Sequence, residues 1–407
     1  MMRRSLPPVN ARPILRPVRV IGLMSGTSAD GVDAALVEWP DDAAVRPFRL
    51  VAFRQDPFAP ELQARIHRLA AARVPGAQAL RELAELDVAL GERFAESARA
   101  LADDAGVPLD AVDAIASHGQ TVAHHPELGA TLQIGDPSRI AERTGVPTVA
   151  DFRPRDVAAG GEGAPLAPFF HFAALGDPAE GRLVLNLGGI ANVTWIPRGA
   201  GPDDVRAFDV GPANALLDGV TQGLSGGRER FDRDGARARR GRVDARWLAE
   251  LLDDEFLRRP PPKSTGRERY GLAEAEALLA RARREGRSAD DLLATLVAFT
   301  ASAVANACRD FCGGIAAVER LLVGGGGAEN PALMEALRAA LPAARVEAFD
   351  AAGVPARAAE AMAFSLLGRN ALLGLPNHLP RCTGARRAAV LGEIAPGRDG
   401  RLRGRSR

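Results

Sequence analysis

Residues 18–39, Val-Arg-Val-Ile-Gly-Leu-Met-Ser-Gly-Thr-Ser-Ala-Asp-Gly-Val-Asp-Ala-Ala-Leu-Val-Glu-Trp, constrain this chain more than any other stretch. An apolar strand runs into a small polar turn, Ser25 to Gly31, and a second apolar strand leaves it. Glycines permit positive φ and close approach of backbone to a ligand. Successive N–H groups in such a turn form an anion-binding nest. Thr27 and Ser28 add hydroxyl donors, and Asp30 or Asp33 is placed to hold a metal directly or through water. The same pattern also describes an ordinary Gly-rich hairpin, and the segment alone leaves both readings open.

A second unit of the same design follows in the other half of the chain. Arg182–Leu187 reads as a strand, Gly188-Gly189 as its turn and Ile190–Ile196 as the returning strand. Strand–helix alternation follows each unit. Two such units predict two related α/β domains facing each other, each giving a phosphate-contacting hairpin to a cleft between them. Glu319–Val323 reads as a strand entering Gly324-Gly325-Gly326-Gly327, ahead of a helix that Asn330 caps and Pro331 starts. Backbone approaches a ligand closely at such a turn, which suits the nucleotide end of the cleft.

A length of 407 residues favours two domains, and 46% apolar with 25% charged residues is ordinary for a globular protein. A net charge of +1 gives no field that argues for nucleic acid or membrane partners. No uninterrupted apolar run reaches the ~18 residues of a membrane span. Three cysteines, Cys308, Cys312 and Cys382, argue against a disulfide framework and for a reducing, cytoplasmic setting. Residues 1–17 hold four arginines, four prolines and no acid, and are expected to be a disordered extension; 395–407 is expected to be a flexible tail. Helical periodicity covers 60–106 with a break near Pro75-Gly76, 290–313 and 356–374. Residues 151–168, rich in Gly, Pro and Arg, read as a functional loop. No Gly-x-x-x-x-Gly-Lys-Ser/Thr sequence exists, so a P-loop is excluded. The Gly-rich loop and lysine of protein kinases are absent, and no acid follows Gly324–Gly327 where a dinucleotide fold needs one.

Several further segments join the two hairpins in resembling one family. Met24-Ser-Gly-Thr-Ser-Ala-Asp-Gly-Val-Asp33, Ser117-His-Gly-Gln-Thr-Val122, Leu132-Gln-Ile-Gly-Asp136 and Ala150-Asp-Phe-Arg153 resemble anhydro-N-acetylmuramic acid kinases. So do Gly160-Gly-Glu-Gly-Ala-Pro-Leu166, Leu185–Asn192, Phe208–Asn214, Pro262-Lys-Ser-Thr-Gly-Arg-Glu268, Gly324–Asn330 and Thr383-Gly-Ala385. The motifs run in family order from about residue 19 to 394.

The resemblance implies a two-lobed, actin-like ATPase fold with duplicated ribonuclease-H-like α/β domains and an interdomain cleft. Lobe I is expected over 18–175 plus 376–394, and lobe II over 176–375. The implied reaction, in cytoplasmic recycling of cell-wall peptidoglycan, opens 1,6-anhydro-N-acetylmuramic acid with water and phosphorylates the freed 6-oxygen from ATP with Mg²⁺. No nucleic acid or membrane partner is implied, and a homodimer is the family-based expectation. A kinase for another anhydro sugar such as levoglucosan is the near alternative. An ATP-gated switch is the distant one; actin-like chaperones carry an added partner-binding domain after the ATPase, and with the last family motif near residue 394 none is expected here.

The family's catalytic aspartate falls on Asp151, as a base for water; pairing with a neighbouring arginine is the other reading. Arg153 and Arg155 are expected to oppose any upward shift of its pKa. The resemblance puts the ATP phosphates on Gly26, Thr27, Ser28, Ala29, Asp30, Gly31, Val32 and Asp33. Gly188, Gly189 and Gly324 to Gly327 complete the nucleotide site. Asp209 is either a Mg²⁺ ligand or a turn acid. His118, Gln120 and Thr121 bunch at a strand end and are candidates for sugar binding, with a core histidine as the plain alternative. Arg153 suits a two-point clamp on the lactyl carboxylate, and Glu360 is a further substrate-side candidate. Lys263, the single lysine, is either a phosphate or a structural contact. Arg357 stands where family members often carry an acid, which bears on substrate preference.

Overall fold

The computed structural model describes residues 16–266 and 268–400, and the opening hairpin forms as its alternation predicts. β1 (Val18–Met24) and β2 (Gly31–Trp39) pair antiparallel with Met24 opposite Asp33, and β3 (Arg49–Pro57) pairs with β2. Two helices, α1 (Pro60–Ala70) and α2 (Gly76–Asp104), lead to β4 (Ala114–Ser117), parallel to β1. A small hairpin, β5 (Gln120–His125) with β6 (Ala130–Ile134), and α3 (Pro137–Thr144) precede β7 (Thr148–Ala150), parallel to β4. The first sheet therefore reads β3-β2-β1-β4-β7.

After α4 (Phe152–Ala158) and α5 (Ala167–Leu175) the pattern repeats. β8 (Arg182–Leu187), β9 (Ile190–Ile196) and β10 (Arg206–Pro212) form an antiparallel meander. Six helices follow: α6 (Asn214–Ser225), α7 (Ala236–Arg240), α8 (Ala245–Leu252), α9 (Glu255–Arg258), α10 (Leu272–Arg284) and α11 (Ala289–Phe311). β11 (Arg320–Gly324) then lies parallel to β8, α12 (Pro331–Ala340) crosses over, and β12 (Arg345–Ala348) lies parallel to β11. The second sheet reads β10-β9-β8-β11-β12, the order of the first. α13 (Ala359–Leu373), the short α14 (Pro380–Thr383) and β13 (Glu393–Ala395), which adds antiparallel to β7, close the described chain.

Strand alternation fixes what each sheet face covers. Ile21, Leu23, Val32, Ala34 and Leu36 pack on α2, while Val20, Ala35, Val37 and Trp39 face the opposite way. In the second sheet Leu183, Leu185, Leu321 and Val323 pack on α6, α11 and α12, while Val184 and Leu322 face back toward the first. α5 and α13 fill the space between, so one core joins both sheets. The result is helix, sheet, helix, sheet, helix. α11 is long and apolar enough to cross a membrane by length and composition, and here most of it is buried in the second core.

Two elements differ from expectation. Seven residues of the expected 151–168 loop form α4. α13, expected with lobe II, packs on β1, β2 and β4 of the first sheet. It is buried on nearly every side, so it needs cover on every side. Gly22 and Gly368 let it approach: a Cβ on Gly22 would stand 1.9 Å from Ala361 O, and one on Gly368 2.4 Å from the Ala116 Cβ. Of the two expected termini, residues 1–15 and 401–407 lie outside the described residues. Arg16 pairs with Asp113 at 2.6 Å.

Candidate active site

The polar turns gather where β1, β4 and β7 end in one sheet and β8 and β11 end in the other, the edge at which parallel sheets offer ligands their loops. The first turn is held from beneath. Ser25 Oγ lies 2.7 Å from Gln120 Oε1 and 2.8 Å from Gly31 O, and Gln120 Nε2 donates to Gly26 O at 3.1 Å. Gln63 Nε2 donates to Ser28 O and to Asp30 Oδ1, and Gln55 Nε2 to Asp33 Oδ1. Ala29, at φ 50°, and Val32 turn their side chains into the core. Thr27 and Ser28 stay exposed, and among the described residues the N–H groups of Gly26, Thr27 and Ser28 have no protein acceptor. No atom lies within 4 Å of a Cβ built on Gly26. The turn is pinned by side-chain hydrogen bonds and leaves three successive N–H groups without a protein acceptor among the described residues.

The second turn is arranged by a different device. The first N–H groups of α6 take its carbonyls: Asn214 N donates to Gly188 O, and Ala213 N and Ala215 N to Gly189 O. With both carbonyls consumed, the Gly188 and Gly189 N–H groups have no protein acceptor among the described residues. Gly325, at φ 76°, and Gly327 lie against the end of β8, where a Cβ would stand 2.5 Å from Asn186 Oδ1 and from Leu187 Cβ respectively. Only glycine fits there, and the N–H groups of Gly325, Gly326 and Gly327 are likewise unclaimed. Glu329, just beyond this loop, and Arg357, just before α13, approach to 3.7 Å, so the second sheet's turn and the first sheet's helix face one cleft. Both side chains are exposed, so the pair adds little stability.

On the sugar side of the expected site, His118 and Gln120 are nearly buried. Their polar atoms hold the protein rather than point into space. Arg153 Nε donates to His118 Nε2 at 2.9 Å, so the ring proton sits on Nδ1, 2.8 Å from Gly119 O and 3.2 Å from Ser25 O. Burial, with Arg153 adding to it, pushes the imidazole down to about 3, and it is neutral at physiological pH. Thr121 Oγ1 accepts from Gln133 Nε2 at 3.2 Å. Arg153 also donates from Nη1 to Gly163 O at 2.7 Å, leaving Nη2 without a protein partner among the described residues. Burial brings its guanidinium down to about 10, so it remains a cation. Glu360 opens α13, reachable by solvent yet crowded by protein. Desolvation first, and then the Asp33 carboxylate, raise its pKa, while Arg153 opposes.

Asp151 follows β7 in the left-handed conformation, φ 56° and ψ 42°, and makes no side-chain cap to α4. Such a conformation in a non-glycine residue is costly and clusters at functional sites. Its carboxylate lines a cavity of about 380 Å³ with Asp87, Ser117 and His118, within the roughly 300–1,000 Å³ of small-molecule sites. No described group hydrogen-bonds it. Its pKa is raised, first by desolvation and then by the Glu393 and Asp87 carboxylates. This corrects the expectation that Arg153 and Arg155 hold it down. α4 begins at Phe152, so the helix carries Arg153 away to His118 and Gly163. Asp87 and Glu393 were missed. Asp87 left a trace, an acid on the stripe of α2 that includes Leu83, Leu90 and Phe94; Glu393 left none.

Asp209 sits at a bulge of β10. Burial raises its pKa, opposed by Thr265 N–H at 2.9 Å and Ser264 O–H at 3.1 Å, both on Oδ2. Its other oxygen has no hydrogen-bond donor among the described residues. Among those residues no three His, Cys, Asp or Glu side chains gather as a metal site. One half-buried carboxylate with a free oxygen nevertheless suits Mg²⁺, which takes one or two carboxylates with phosphates and water. Lys263 is a structural contact: Nζ donates to Phe256 O and Leu257 O and lies over the Phe256, Phe311 and Phe208 rings. Burial holds it at about 8. Cys308 and Cys312 are both buried.

The family model for anhydro-N-acetylmuramic acid kinase matches residues 18–397. The chain is 48% identical over 380 residues to the protein of that name from Xanthomonas axonopodis pv. citri, covering 92% of this chain and 97% of the relative. It is 46% identical over 386 residues to that from Streptomyces coelicolor, covering 94% and 95%. It is 41% identical over 384 residues to that from Caldanaerobacter subterraneus, covering 92% and 96%. The twice-repeated strand order agrees with the fold implied by the motifs, and the chain belongs to the anhydro-N-acetylmuramic acid kinase family.

Proposed function

We propose that this chain converts 1,6-anhydro-N-acetylmuramic acid, ATP and water to N-acetylmuramic acid 6-phosphate and ADP. The observation that carries the reading is Asp151: a half-buried carboxylate with no hydrogen-bond donor among the described residues, held in a left-handed backbone at the wall of a sugar-sized cavity. Asp151 accepts a proton from water as the water oxygen bonds the anomeric carbon. The bond from that carbon to the 6-oxygen breaks, and its electron pair stays on the 6-oxygen. That oxygen bonds the γ-phosphorus, the bond to the β-phosphate oxygen breaks, and ADP leaves. The proton passes from Asp151 to solvent.

Phosphoryl transfer depends chiefly on positioning and charge neutralisation. The free N–H groups of Gly26–Ser28, Gly188–Gly189 and Gly325–Gly327 supply donors from both sheets. Mg²⁺, when bound, neutralises phosphate charge, and Asp209 is the residue that would hold it. Arg153 Nη2 clamps the lactyl carboxylate, with Glu360 on its far side. His118 and Gln120 act one step back, fixing Arg153 and the first turn respectively.

Purified protein with Mg-ATP is tested against the muramic substrate and levoglucosan, following ADP. Turnover of the first and little of the second is expected. Phosphorylation of levoglucosan alone would replace this reading by its near alternative, since that sugar lacks the carboxylate that Arg153 is assigned to bind.

A further inference from the structure

Two motifs have no part in this scheme, Gly160–Leu166 and Thr383–Ala385, and they meet on one buried carboxylate. Asp156, on α4, has no exposed surface. Thr383 Oγ1 donates to its Oδ1 at 2.8 Å, His378 Nδ1 lies 2.6 Å from the same oxygen, and Gly163 N–H donates to Oδ2 at 2.8 Å. Ala389 N–H donates to His378 Nε2 at 3.0 Å. That bond leaves the ring proton on Nδ1, which lies close to Asp156 without being aligned for a hydrogen bond. A Cβ on Gly161 would stand 2.2 Å from Asp156 Oδ2, so glycine alone lets the loop wrap this close. Glu162 N donates to Thr383 O at 2.7 Å and Arg386 N to Ala159 O at 3.1 Å, tying the same two segments by their backbones. A buried charge is tolerated only with such a full set of donors.

Gly163 is the link outward. Its N–H is on Asp156 and its carbonyl accepts from Arg153 Nη1. Arg153 Nε is spent on His118, so Gly163 and His118 together fix where the free Nη2 points.

We infer that Asp156, with Thr383 donating to it and the His378 ring close beside it, is a positioning group that sets the free Nη2 of Arg153 against the carboxylate borne by the sugar. This rests on Arg153 being that clamp. The competing role for the cluster is to fasten residues 376–394 to α4 and nothing more. A double-mutant cycle separates them. Thr383→Val keeps the volume and removes one donor; Thr383→Ser restores the hydroxyl; Arg153→Ala removes the clamp. KM for sugar, KM for ATP, kcat and Tm are measured for each, and for Thr383→Val with Arg153→Ala.

Thr383→Val is expected to raise the sugar KM by about tenfold with the ATP KM unchanged. Thr383→Ser is expected to recover it. In the Arg153→Ala background the Thr383→Val change is expected to have no further effect. The same fold-change with and without Arg153, or a normal sugar KM in Thr383→Val beside an impaired Arg153→Ala, overturns the inference alone. A normal sugar KM in Arg153→Ala overturns the clamp and the inference with it. Asp156→Asn, which sets an amide against Gly163 N–H or against the Thr383 hydroxyl, is scored the same way if Thr383→Val does not fold.

Discussion

A carboxylate works as a base when it is unpaired and reachable, and in the proposed reaction Asp151 takes that part: no described group hydrogen-bonds it, and it lines the cavity after β7. The left-handed turn after β7 aims it, and the departure of α4 removes the arginines that would otherwise pair with it. Asn tolerates the same backbone region, so Asp151→Asn keeps the geometry and loses the base. Its kcat is expected to fall by roughly 10²–10⁴-fold with ATP affinity unchanged by calorimetry. The folded state holds the Asp151 proton more tightly than the unfolded chain does, so its stability contribution is lost as pH rises through the folded pKa. The Tm of Asp151→Asn at neutral pH should therefore equal or exceed that of the parent. For the same reason the acid limb of kcat/KM, which reports the free enzyme, is expected above the ordinary aspartate value of 3.8. Glu393→Gln removes one repelling charge, so that limb should move to lower pH, and by less at high salt. An unmoved limb would exclude Glu393 as a cause. Asp151 itself was legible in the sequence, because it stands in a family motif at a strand end. Its environment was not, because Asp87 and Glu393 reach it only through the fold.

At the scale of elements, both hairpins were legible because a two-residue period and a Gly turn are local properties. The docking of α13 was not: nothing near Gly22 in the chain announces a helix more than 300 residues later. The first strand and its turn thus contain two glycines with opposite duties. Gly22→Ala drives a Cβ into the α13 backbone and should cost roughly 1–3 kcal/mol, read as a lower denaturant midpoint. Gly26→Ala meets no protein atom, so its midpoint should stay at the parent's while the KM for ATP rises, the added methyl projecting where phosphates are assigned. Equal stability losses at the two positions would contradict this division. The carry-over of His118 and Gln120 to the sugar illustrates the same limit. The motif placed them at a strand end, but their links to Arg153 and to the first turn are long-range contacts.

For the whole molecule, the repeated strand order gives each sheet a Gly turn at the same place in its order, and the shared core around α5 and α13 joins the two halves. In the proposed reaction, water is activated at Asp151 and the phosphates lie on the Gly turns. The most direct test follows oxygen. Reaction in ¹⁸O-water, quenched early and read by mass spectrometry, should put one heavy oxygen on the anomeric carbon of the product and none in its phosphoryl group. Label in the phosphoryl group, or an unlabelled sugar, would contradict attack by Asp151-activated water on the anomeric carbon.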